Sequence, residues 1–265
     1  MKWRTIMELT IGCTTRPFRG CSFEEACKYI AEAGYTDVAF VPVKSDNTDE
    51  ELAQTRKTAL DAGLNPSMAL SSPKMNLGLD GAVDEFNKHI DNAAKIGVKW
   101  LVELGIGDPK YFDDYYEVMR RCSPHAKQAG VGISLKPHGG ISLTAQNLID
   151  SFNKVSHPAF GISYDPGNII YYTVGKLRPE TDIDKIAPMV TTMIIKDCVI
   201  KDDKPDVMVT PGEGLVDFGT VISGLVDGGF KGPLYVECVG GTEIDEIRAN
   251  VKSTLKFVKD ILAKL

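Results

Sequence analysis

Two rhythms of apolar residues alternate along the chain. One is the short, nearly unbroken run, such as Val190-Thr191-Thr192-Met193-Ile194-Ile195, which suits a strand covered on both faces of a parallel sheet. Eight strands are predicted this way, near Leu9–Cys13, Asp37–Val41, Pro66–Leu70, Trp100–Leu104, Gly132–Lys136, Gly161–Asp165, Met193–Lys196 and Leu234–Cys238. The other rhythm steps by three and four residues, as helices do. Ser22-Phe23-Glu24-Glu25 reads as a capping box opening a helix with Ala26, Ile30 and Ala33 on one face. Asp84 through Ile96 and Ile244 through Leu262 show the same spacing.

A repeated phrase joins the two rhythms: a helix end, a glycine, then a β-branched run. It occurs at Ala31-Glu32-Ala33-Gly34, Asp61-Ala62-Gly63, Ala94-Lys95-Ile96-Gly97 and Lys127-Gln128-Ala129-Gly130. Glycine suits the residue after a helix because that position commonly takes positive φ. These glycines stand 29, 34 and 33 residues apart, the length of one strand-plus-helix unit. Eight such units in 265 residues predict an α/β fold, a (β/α)8 TIM barrel in a single domain over residues 1–265. A doubly wound open sheet is the alternative that periodicity leaves open. No strand is followed by GxGxxG or GxxxxGK[ST], so nothing points to a nucleotide fold.

Composition narrows the partners. Thirty Lys and Arg against thirty-six Asp and Glu give a net charge of −6, which argues against nucleic acid or an anionic membrane as partner. Six cysteines with no CxxC pair read as reduced thiols of a cytoplasmic protein rather than a disulfide framework. The opening residues Met1 to Glu8 contain no apolar core of a signal peptide.

The carboxyl ends of barrel strands are where chemistry is expected. Those ends carry Thr14 and Arg16, Lys44, Ser71 and Ser72, Glu103, and Lys136-Pro137-His138-Gly139-Gly140. Asp165-Pro166-Gly167-Asn168, Lys196-Asp197 and Glu237-Cys238 follow. A charge that ends an apolar run is costly unless it is paired, so Lys136, Asp165 and Glu237 are expected to meet one another.

Four segments resemble the xylose-isomerase-like family of sugar isomerases and epimerases. They are Asp165-Pro166-Gly167-Asn168, Ile195-Lys196-Asp197, Pro211-Gly212-Glu213-Gly214 with Val216-Asp217-Phe218, and Tyr235-Val236-Glu237. The resemblance implies a TIM barrel whose typical members hold one divalent cation, commonly manganese, through Glu, Asp, His and Glu of the last four strands. It implies a proton shuttled between adjacent sugar carbons through an enediolate. Carried across, the Asp falls on Asp165 and the last Glu on Glu237. The first Glu falls on Lys136 and the His on Ile194. Two carboxylates beside an ammonium make a poor site for a hard cation.

The expected chemistry is therefore a sugar, polyol or keto-sugar isomerase or epimerase with a degraded metal site, in which Lys136 takes the cation's place. With Lys136 as the single ammonium, the two carboxylates leave the pocket near −1. Catalytic candidates are Lys136, Asp165, Glu237 and His138. Substrate-binding candidates are Glu103, Asn168, Lys196 and Glu213. No metal is assigned; a manganese, zinc or magnesium ion, if bound, would use Asp165 and Glu237 with His138 or Glu103. The partner is a small-molecule carbohydrate. Two alternatives stand: Schiff-base lyase or aldolase chemistry at Lys136, and a sugar-binding barrel without turnover.

Overall fold

Barrel strands of three to six residues are enough here because each is hydrogen-bonded on both sides and the barrel leaves no edge open. The computed structural model of the protein describes residues 9–265; the reading of Met1 to Glu8 lies outside the described residues. The chain runs β1 (Ile11–Thr14), α1 (Phe23–Glu32), β2 (Asp37–Ala39), α2 (Asp49–Asp61), β3 (Asn65–Leu70) and α3 (Gly78–Ile96). It continues through β4 (Trp100–Glu103), α4 (Phe112–Ala129), β5 (Gly132–Leu135), α5 (Ala145–Val155), β6 (Phe160–Tyr164), α6 (Pro166–Thr173) and α7 (Ile183–Ile186). It ends with β7 (Val190–Ile195), a hairpin of β8 (Val199–Lys201) and β9 (Lys204–Asp206), α8 (Phe218–Asp227), β10 (Leu234–Val236) and α9 (Ile244–Leu262).

Around the barrel the order is β1, β2, β3, β4, β5, β6, β7, β10, and β10 closes onto β1 through Ile11–Leu234, Gly12–Tyr235 and Cys13–Val236. Every pairing in that ring is parallel, so all eight strand ends point to one rim. This is the (β/α)8 TIM barrel expected from the apolar rhythm.

Local signals do what their chemistry dictates. Ser22 and Thr48 cap α1 and α2 through reciprocal bonds with Glu25 and Glu51. Gly97 and Gly130 end α3 and α4 at φ of 98° and 72°, conformations a side chain resists. Most of the core lies between the strands and the helix ring. A smaller apolar plug of Ala39, Met68, Val102, Ile194 and Tyr235 packs separately, all five fully buried. Alternation along a strand puts residues two apart on one face. Lys196 therefore stands one layer above Ile194, and Glu237 one layer above Tyr235. The plug is the floor of the site.

Candidate active site

Four barrel strands in a row each deliver a charged residue at the first position past the strand: Lys136 after β5, Asp165 after β6, Lys196 after β7 and Glu237 after β10. All four are at most 4% exposed. Lys136 Nζ lies 2.5 Å from Glu237 Oε2 and 3.1 Å from Asp165 Oδ2. Lys196 Nζ lies 2.5 Å from Glu237 Oε1 and 3.3 Å from the same Asp165 oxygen. Each lysine thus bridges both carboxylates.

The expected pairing of Lys136 with Asp165 and Glu237 is present, but the charge count changes. Lys196, read as a residue reaching toward substrate, is built into the cluster, so two ammoniums face two carboxylates and the quartet is neutral rather than −1. Burial alone would disfavour every charge here; mutual pairing reverses that. Burial works against the charge on Glu237, yet Lys136 and Lys196 pull its carboxyl down to about 2. Burial likewise opposes the Lys196 charge, and Asp165 and Glu237 override it, holding the ammonium well above its ordinary range.

Asn168 braces the cluster from the first turn of α6. Its backbone N–H donates to Asp165 Oδ1 at 2.9 Å, its Nδ2 donates to the Pro137 carbonyl at 2.7 Å, and its Oδ1 accepts from Lys196 Nζ at 3.2 Å. Asp165 is thereby the N-cap of α6, with Pro166 at the first helical position. Gly167 allows the close approach, since a Cβ there would sit 2.5 Å from the Lys196 carbonyl oxygen. Lys136 is fixed through its own N–H, which donates to the Glu103 carbonyl at 2.7 Å.

A cleft with about 170 Å³ open to water lies over the quartet. Lys136, Lys196, Glu237 and Asn168 form its polar base; His138 and Arg16 stand at its mouth, with Phe40, Leu70, Tyr171 and Tyr172 among the apolar walls. His138 packs on Tyr172 with ring centroids 4.9 Å apart. Burial, and then the ammoniums of Lys136 and Lys196, hold the imidazole below its ordinary 6.5, against Asp165 and Glu237. The chain's other three histidines have structural partners: His89 meets the Val43 carbonyl, His125 meets Asp91, and His157 accepts from the Ala159 N–H.

Two substrate-binding candidates are displaced. Glu103 is fully buried and does not line the cleft. Its carboxyl turns toward α4, accepting from Tyr115 Oη at 2.5 Å and the Gly105 N–H at 2.6 Å. Glu213 is exposed on a loop and does not line the cleft. That loop is anchored instead by Asp197, whose buried carboxylate accepts from the N–H groups of Cys198, Gly212, Gly214 and Val216 at 2.8–3.0 Å. Asp165 is in the cluster but beneath the cleft surface. Tyr171 and Tyr172 were not assigned from sequence; their place in the helix opened by Asp165 is the signal that would have found them.

The cluster does not fit a divalent cation. The two carboxylates that would bind one are already neutralised by ammoniums, and hard cations need several oxygen or imidazole ligands. Ile194, where the resemblance places the histidine, belongs to the apolar floor. Glu103, one of the two residues named to complete an ion's donor set, is turned away, which leaves His138 as the other. Among the described residues no group of three or more His, Cys, Asp or Glu is gathered that could hold a metal. Among them, too, no helix is long and apolar enough to cross a membrane.

Solved structures of the same shape are numerous. A xylose isomerase domain protein from Planctomyces limnophilus shares 19% identity over 97% of this chain and 96% of its own, with a TM-score of 0.72. D-psicose 3-epimerase with D-tagatose from Clostridium cellulolyticum H10 shares 14% over 96% and 99%, with a TM-score of 0.78. A xylose isomerase-like TIM barrel protein from Mycobacterium smegmatis, in complex with magnesium, shares 16% over 97% and 99%, with a TM-score of 0.74. At these identities the likeness shows the fold. No curated protein matches the sequence. The family described as xylose isomerase-like TIM barrel matches residues 27–261, so the chain belongs to that family.

Proposed function

We propose that this protein is a carbohydrate isomerase that moves a proton between neighbouring carbons with lysine ammoniums in place of a cation. The observation that carries this reading is the neutral quartet at the base of the cleft, with the His138 imidazole lining the same cleft. Ammoniums held by fixed carboxylates are preorganised donors for an oxyanion, and preorganised charge is commonly the largest contribution to such catalysis.

His138 takes the role of base. A neutral imidazole removes the proton from the carbon next to a carbonyl; the C–H electron pair forms the C=C bond, and the carbonyl pair moves onto oxygen as an enediolate. Lys136 and Lys196 hold that oxygen. The imidazolium then returns the proton to the adjacent carbon while a hydroxyl proton shifts to the oxygen left behind. A single base on one face favours exchange of aldehyde and ketone positions over epimerisation, which needs groups on both faces. Glu237, held near 2 by its lysines, is too weak a base for this step and serves to position them.

Schiff-base chemistry is less well supported, because both lysine Nζ atoms donate to carboxylates and neither offers a free lone pair. Incubation in D2O with aldoses, ketoses and sugar acids, in the presence of a chelator, tests the reading. Deuterium is expected on the carbon next to the carbonyl of one substrate series, with a loss of about 100-fold or more in His138→Gln. Absence of exchange across the panel, or exchange only after manganese is added, overturns it. Borohydride trapping of a covalent adduct at Lys136 would replace it with the lyase reading.

A further inference from the structure

Arg16 adds a cation to a cluster that is already balanced. It lies just past β1 at the cleft mouth, and its side chain is 46% exposed. Its Nε stands 3.9 Å from Glu237 Oε1, too far for a hydrogen bond, and the Cys238 thiol lies beside the guanidinium. Among the described residues no carboxylate or carbonyl accepts a hydrogen bond from this side chain, which has the Cys238 thiol as its hydrogen-bonding neighbour; its backbone N–H donates to Thr14 Oγ1. The guanidinium lines the cleft with donors that no carboxylate or carbonyl takes up. With the quartet at zero, the Arg16 guanidinium is the one fixed charge of the cleft left unbalanced.

A phosphate would need more than that. Its charge at neutral pH is about −1.5 to −2, which exceeds the single charge available. Barrels that take phosphates cradle them with loops after the last strands and the N-terminus of a short helix. Here both devices are occupied internally. The N–H groups of Gly212, Gly214 and Val216 all donate to Asp197, and the start of α6 is capped by Asp165. A carboxylate matches both the charge and the fork, since guanidinium and carboxylate meet through two parallel bonds.

We propose that the substrate is a sugar acid, a carbohydrate whose carboxylate is gripped by Arg16 while its reacting oxygens lie over Lys136 and Lys196. This deepens the isomerase reading and rests on it for the reaction, but not for the binding. Matched sets decide it: glucose, glucuronate and glucose 6-phosphate, with the galactose and mannose counterparts, titrated into the full chain by calorimetry. In at least one set the acid is expected to bind about tenfold tighter, or more, than both its neutral and its phosphorylated partner. Arg16→Gln is expected to abolish that ratio and Arg16→Lys to keep part of it, because a lysine supplies charge without the fork. Neutral sugars or phosphates binding as tightly as acids overturns the proposal. So does an acid preference that survives Arg16→Gln, or no acid binding at millimolar concentration. Acid binding without deuterium exchange would remove the isomerase reading and leave this one standing; exchange on neutral sugars without acid preference would do the reverse.

Discussion

Lys196 and Lys136 each touch both carboxylates, so neither can be removed without leaving an uncompensated buried charge. Breaking such a cluster costs about 3–5 kcal/mol. Lys196→Met is expected to lose that much in urea unfolding, and the loss in Lys136→Met plus Lys196→Met together should depart strongly from the sum of the singles. Glu103 gives a second prediction at this scale. Burial pushes its carboxyl up to about 7 from 4.5, with the bonds from Tyr115 and Gly105 pulling the other way. A carboxyl that is protonated more readily in the fold stabilises it fully below its unfolded value and loses that contribution as pH rises toward 7. Glu103→Gln can accept the same two bonds, so its stability relative to the natural chain should climb between pH 4.5 and 7 by up to about 3 kcal/mol, then level off. Equal pH profiles for the two chains would refute this. A strand-end carboxylate reads alike in sequence whether it faces a cleft or a helix; only the fold brings Tyr115 against Glu103.

All eight barrel strands were legible, because each is an apolar run bounded by a helix-ending glycine or a polar end. What escaped was short and held by tertiary contacts. The β8–β9 hairpin turns at Asp202 and Asp203, both at positive φ, 50° and 59°, without the Asn-Gly or Asp-Gly pair that announces such turns. Lys196 was assigned but its partners were not, since ion pairing across strands leaves no trace in local pattern. The Asp197 anchor is an element-scale feature with its own test. Asp197→Asn replaces one acceptor oxygen with a donor, so either the Gly212 and Gly214 amides or the Val216 amide should exchange with D2O at least about tenfold faster, equivalent to about 1.4 kcal/mol. Exchange confined to its natural rate would mean the loop is held by other contacts. At the start of α1, Ser22→Ala should cost about 1 kcal/mol of stability by denaturant titration.

As a whole, the molecule separates a charged layer from an apolar floor by one pleat of the barrel. Lys136 lies in the upper layer and Ile194 in the lower, and these two positions distinguish the cluster from the four-ligand arrangement that the family resemblance implies. Restoring the arrangement takes both Lys136→Glu and Ile194→His. Only the double variant should bind manganese measurably by calorimetry; metal binding by either single variant would contradict the role given to the lysine or to the floor.

The layering also constrains descent. Lys136→Glu alone gathers three carboxylates around one lysine, and Ile194→His alone buries an imidazole among Ala39, Met68, Val102 and Tyr235. Each intermediate is less stable than either endpoint, so a lineage that has crossed to the ammonium form faces a fitness valley on the way back. The lysine works as a ratchet. In the proposed reaction the ammoniums stand where a cation would, and a return to a cation needs both positions to change together.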